Sequence, residues 1–190
     1  MFSLLRKFRK NSSLSNHSKD DYYSRFCGMI NSSTLAHLTE VRDSIIEVEG
    51  LTDHGITLGD SRKKVLSKLG SPDHAMVGGE TGRYHTLFYK VPGSSTHDLL
   101  EVHLFDDKVF HIVAINRIYS SIDLERHQRL LTTAMDIAGS VILSDTTIVD
   151  PSGNRLNIYC GVNVIEKQSS TDSELINQLT ATITPPIISS

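Results

Sequence analysis

Apolar positions recur along this chain with two periods, and the switches between them set out the elements. Leu35, Leu38 and Val41 share one helical face, with Ser33 or Thr34 placed to cap it, so one helix is expected within residues 20–42. Ile45, Ile46 and Val48 then form a short apolar run ending at Gly50, which reads as a strand. Asp60 to Leu69 is the best punctuated helix. Asp60 or Ser61 offers a capping oxygen, and Val65, Leu66 and Leu69 make one stripe. Gly70 suits the left-handed position after the last turn, and Pro72 blocks continuation. Gly78, Gly79 and Gly82 follow as a flexible turn, then Tyr84 to Val91 alternates as a strand until Pro92-Gly93-Ser94-Ser95 breaks it.

The clearest hairpin joins Leu99–Phe105 to Val109–Ile118. A three-residue loop at Asp106-Asp107-Lys108 pairs Phe105 with Val109 and His103 with His111. It also sets Leu100, Val102 and Leu104 against Phe110, Ile112 and Ala114 on one apolar face. A two-residue loop at Asp107-Lys108 spoils that face by bringing His111 against Leu104, so the longer loop is expected. Ser121 to Ala138 is the longest predicted helix. Leu124, Leu131, Ala134 and Ala138 form its inward stripe, Met135 and Ile137 support it, and Gly139 stops it. Val141–Val149 and Leu156–Ile165 suggest a second hairpin around Asp150-Pro151-Ser152-Gly153-Asn154. Thr171 to Thr180 reads as a last helix, with a Thr171/Glu174 capping box and Leu175, Ile176 and Leu179 facing inward. Pro185-Pro186 begins a loose end. These elements predict an α+β fold, an antiparallel meander flanked by helices, as a single domain over residues 20–184.

Charge changes the picture at the N-terminus. The 190-residue chain has a net charge of −3, yet residues 1–19 hold Arg6, Lys7, Arg9, Lys10 and Lys19 and no acid. Those residues read as a flexible basic tail, and the rest of the chain is strongly acidic. An acidic body disfavours a nucleic-acid interface, because phosphate contacts need a basic face. Phe2, Leu5 and Phe8 recur at helical spacing among the tail's cations, so residues 1–10 are a candidate for weak membrane-surface contact. No run approaches the roughly 20 apolar residues of a membrane span. The first residues lack the apolar core of a signal peptide, and Cys27 follows Ser24-Arg25-Phe26 rather than small residues, so a cytoplasmic location is expected. Cys27 and Cys160 are read as two free thiols, with one long-range disulfide as the alternative.

The candidate chemistry is sparse. His103 and His111 oppose each other on the face away from the predicted core, with Glu101 beside them. Two imidazoles and a carboxylate are a donor set for a transition metal, and an ordinary cross-strand polar pair is the simpler reading. No metal or other cofactor is therefore expected. His54, His74, His85 and His97 lie in or near predicted loops and read as surface residues. Gly78-Gly79-Glu80-Thr81-Gly82 leads into a strand, so no helix N-terminus stands behind it to cradle a phosphate. Nucleotide-loop, nucleophile-elbow and zinc-helix motifs are absent. Cys160, between Tyr159 and Gly161, reads as a packed core thiol, and Asp106 and Asp107 as turn residues.

Leu58-Gly59-Asp60-Ser61, Val65, Leu69-Gly70-Ser71-Pro72, Tyr84, Tyr89 and Leu104-Phe105-Asp106-Asp107-Lys108-Val109 together resemble the SmpA/OmlA type over residues 56–118. These are small outer-membrane assembly lipoproteins, and β-lactamase inhibitor protein shares a related helix-and-sheet module. The resemblance implies a non-enzymatic bacterial module, adaptor or inhibitor, that presents a sheet surface to a protein partner. The competing expectation is a metal-dependent enzyme or small-ligand binder built on the His103/His111 face.

Overall fold

The computed structural model describes residues 38–78, 82–90, 99–117, 120–138, 143–161 and 163–183. The basic tail, most of the helix expected within residues 20–42, Cys27, His97, the Pro92–Ser95 break, the Gly139 helix stop and Pro185-Pro186 lie outside them. The chain is an α+β protein. Its elements are β1 (Ser44–Glu47), α1 (Arg62–Leu69), β2 (His74–Gly78), β3 (Tyr84–Lys90), β4 (Leu99–Phe105), β5 (Lys108–Arg117), α2 (Ser121–Ala134), β6 (Thr146–Val149), β7 (Arg155–Cys160), β8 (Asn163–Ser169) and α3 (Ser173–Ile183). The strands form one eight-stranded sheet in the order β1-β6-β7-β8-β5-β4-β3-β2. Every neighbouring pair is antiparallel except β1 and β6, which run parallel. No described helix is long and apolar enough to cross a membrane.

Local chemistry explains α1. The Ser61 hydroxyl accepts from the Lys64 N–H, and Gly70, at φ +77°, ends the helix in a conformation a side chain would strain. The expected stripe is corrected at one position. Val65 is fully buried and Leu69 packs against the same cluster, but Leu66 is exposed. Val65 joins Leu87, Tyr89, Leu100, Val102, Leu104, Val109, Ile112 and Ala114 in one core cluster.

The β4–β5 hairpin corrects the expected register. Asp106 and Asp107 both have positive φ, at 48° and 60°, so they alone make a two-residue primed turn, and Phe105 pairs with Lys108. Leu104 then pairs with Val109, yet His103 still faces His111. Phe110 is the extra residue of a bulge between those pairs. The bulge turns Phe110 to the other face, where it is buried with Leu38, Tyr84, Phe105 and Leu179. Val109 fills the place expected for Phe110 on the apolar face.

The second half departs further. α2 ends at Ala134, with Asp136 at φ +53°, and none of its residues is fully buried. Leu124 and Leu131 pack inward as expected, joined by Met135 and Ile137, while Ala134 and Ala138 are exposed. The run Leu156–Ile165 is two strands: β7 and β8 are adjacent, and Cys160 pairs with Val164 across the bend at Gly161. The capping oxygen of α3 is on Asp172, which accepts from the Glu174 and Leu175 N–H groups at 2.9 and 3.2 Å. Thr171 instead donates to the Gly153 carbonyl. At the start of the described chain the helical turn ends by Thr39, so Leu38 is buried and Val41 is exposed. Arg42 ties this segment to the sheet: its N–H donates to Thr147, and its guanidinium donates to the Ile158 carbonyl.

Candidate functional site

Two polar clusters occupy opposite faces of this sheet. Side chains alternate along β4 and β5, so Val102 and Ile112 point toward α1 while Glu101, His103 and His111 point the other way. That second face is not solvated: Glu101, His103 and His111 are 3%, 1% and 2% exposed. The expected cross-strand pair is present, with ring centroids 5.2 Å apart. His103 lies in a chain of hydrogen bonds. Thr86 donates to the Tyr84 hydroxyl at 2.8 Å, and that hydroxyl lies 2.5 Å from His103 Nδ1. His103 Nε2 lies 3.2 Å from Glu101 Oε2. A carboxylate only accepts, so Nε2 carries the proton and Nδ1 receives the Tyr84 O–H. His111 Nδ1 donates to the Gln168 carbonyl at 2.8 Å, beside Ser169. Among the described residues no group of three or more His, Cys, Asp or Glu side chains is disposed to hold a metal ion.

The other cluster escaped the sequence. Glu166 of β8 points to the side of the sheet that α2 covers. One of its oxygens takes two 2.8 Å bonds, from the Asn116 amide and His127 of α2. Asp53, in the loop before α1, is within reach of the charge of Glu166, and His54 Nδ1 lies 3.7 Å from Asp53. Burial pushes the Asp53 carboxyl up to about 6, Glu166's charge pushes the same way, and His54 opposes both. One signal was available. Val164, Glu166 and Gln168 share a parity, and Val164 packs in the core beside Leu156 and Ile158. Polar residues at inward positions mark a polar patch under a helix.

Other expected sites resolve simply. His54 is exposed in a loop, whereas His74 opens β2 just after a turn and His85 lies on β3, both half-buried. Cys160 is free and exposed, not a packed core thiol, because the bend at Gly161 places it at a strand end. Asp106 serves the turn, and its carboxylate takes a 2.6 Å bond from Arg83 Nε.

The sheet's two edges differ. β1 is four residues long, Ser-Ile-Ile-Glu, with Glu47 at its end. β2, His-Ala-Met-Val-Gly, has no charge and no proline, and Val77 is 62% exposed on it. Among the described strands β2 has a neighbour on one side only. A groove of about 420 Å³ opens at the start of β2, lined by His54, Leu69, Ser71, Asp73, Tyr89 and Lys90 together with Leu100.

No family model matches the sequence, and no curated protein matches it either. Among solved structures, a cysteine-rich secretory protein from Staphylococcus aureus aligns at a TM-score of 0.41 and 14% identity. The alignment covers 72% of this chain and 52% of that protein, so the chain spans about half the length of the structure it matches.

Proposed function

We propose that this chain is a non-enzymatic protein-interaction module, of adaptor or inhibitor type, whose sheet is flanked by helices. The resemblance of residues 56–118 to the SmpA/OmlA type belongs to the same reading, and so does a cytoplasmic location with a protein rather than a nucleic acid as partner. The observation that carries it is the β2 edge, which among the described strands has a neighbour on one side only. Natural sheets blunt their edges with charge, proline or bulges, and β2 has none of these. A partner therefore meets strand edge rather than sheet face, since the central strands bury both faces in side chains of the core clusters.

The competing reading, a metal-dependent enzyme or small-ligand binder at Glu101, His103 and His111, has weaker support. Those side chains are buried, and their hydrogen bonds are made within the protein. A photo-crosslinking residue at position 77, with the same residue at exposed Leu130 of α2 as control, tests the interaction reading in lysate of the source cell. One dominant protein captured from position 77 and not from position 130 is expected. Equal capture at both positions overturns the edge as the site, and stoichiometric metal in untagged protein that disappears in a His103→Gln/His111→Gln variant favours the competing reading.

A further inference from the structure

Resting on the interaction reading, we propose that the β2 edge takes an extended peptide segment with an acidic C-terminal end, added antiparallel to β2. The backbone supplies the first half of the argument. β2 pairs with β3 in unbroken register from His74↔Phe88 to Gly78↔Tyr84, so alternate N–H and C=O groups on its far side point away from the described sheet. An added strand satisfies them. Ala75 and Val77 are exposed on one face of β2, so the incoming strand presents apolar residues at alternate positions to cover them.

Charge supplies the second half. α1 reads Arg-Lys-Lys-Val-Leu-Ser-Lys-Leu and contains no acid, on a chain whose overall charge is negative. Lys64 is held by Asp60 at 2.8 Å, and Arg62 lies 3.9 Å from Asp107. Lys63 and Lys68 make no ion pair among the described residues, and neither does Lys90. The Tyr89 hydroxyl donates to the Gly70 carbonyl, so the end of α1 that carries Lys68 lies near the His74 end of β2, where Lys90 also stands at the end of β3. Asp73 stands at the same end, and one of its oxygens already accepts the Lys90 N–H at 2.8 Å. An antiparallel strand ends beside His74, so its C-terminal residues meet those lysines. Antiparallel addition also continues the pattern of β2 through β5.

Fluorescence anisotropy with three labelled synthetic peptides tests the assignment: Thr-Val-Thr-Val-Thr-Asp-Glu, the same core ending in Lys-Lys, and the acidic pair moved to the N-terminus. The acid-ended peptide is expected to bind about ten-fold tighter than the lysine-ended one, since like charges at a contact are strongly disfavoured. A Lys68→Glu/Lys90→Glu variant reverses that order. Val77→Asp, at an exposed site that leaves the core intact, removes binding of the acid-ended peptide. Equal binding of acidic and basic peptides overturns the charge assignment and leaves the interaction reading standing. Tighter binding of the N-terminally acidic peptide overturns the antiparallel direction. Absence of all peptide binding, with a crosslinked protein still captured at position 77, overturns the extended-strand occupant. A concentration-dependent dimer in sedimentation that Val77→Asp abolishes makes the occupant a second copy instead.

Discussion

The two polar clusters back onto one sheet, and they differ in how completely burial is answered by hydrogen bonds. On one face, His103 has both ring nitrogens engaged, between a tyrosine hydroxyl and a carboxylate, and all its partners are buried. On the other, the charge of Glu166 acts on the buried carboxyl of Asp53, and the neighbouring histidines, His54 and His127, are more open to solvent. The first arrangement is a closed chain in which each donor has an acceptor. The second contains like charges whose burial is only partly offset. The difference teaches that a buried polar cluster can fasten a fold or load it, according to whether its charges are matched.

Breaking the closed chain has the largest expected effect. His103→Ala leaves Glu101 buried beside a cavity and removes the nitrogen that accepts from the Tyr84 hydroxyl. It is expected to cost about 3–5 kcal/mol in urea unfolding. A cost below about 1 kcal/mol would show that the chain contributes little to the fold.

Asp53 gives the next largest effect, with a definite sign. Its carboxyl sits at about 6 in the folded protein, above the ordinary 3.8. A raised acid contributes its full stability only below the unfolded value, and loses it as the pH climbs through the folded value. The chain is therefore expected to be more stable at pH 4 than at pH 7 by roughly 2 kcal/mol from this group, an order of magnitude set by the shift. Asp53→Asn should flatten the urea midpoint across that window. If the variant and the parent lose stability in parallel between pH 4 and pH 7, Asp53 is not the loaded group.

The smallest effect sharpens the contrast. His127 is a fifth exposed, and Glu166 keeps its Asn116 bond when the imidazole is removed. His127→Ala should cost about 1 kcal/mol in the same assay. A loss as large as that of His103→Ala would make the two clusters equivalent.

Much of the fold was legible where the signal is local. The caps and stop of α1 were written in Ser61, Gly70 and Pro72, and the His103/His111 opposition in the alternation of two apolar strands. The turn between them was misread because a bulge at Phe110 restores a register that a plain two-residue turn loses. Alternation alone does not distinguish that combination from a longer loop. The Leu156–Ile165 run was misread as one strand because Gly161 is a weak turn signal in a run that is apolar apart from Asn157 and Asn163. Cys160 was placed in the core for the same reason.

The sequence by itself determined that Leu100, Val102, Leu104, Ile112 and Ala114 share a face, that α1 is capped at Ser61 and stops at Gly70, and that acid would accumulate on the body and base at the N-terminus. These follow from steric rules and neighbouring side chains acting over a few residues. The tertiary structure alone decided what covers each face. It buried His103 and His111 on a face that the pattern left either solvated or covered by a helix, set Asp53 within reach of the charge of Glu166, and made β1 parallel to β6. Among the described strands it also left β2 with a neighbour on one side only. Such outcomes depend on which distant segments pack together, and the apolar pattern that drives packing is blind to the identity of its partner.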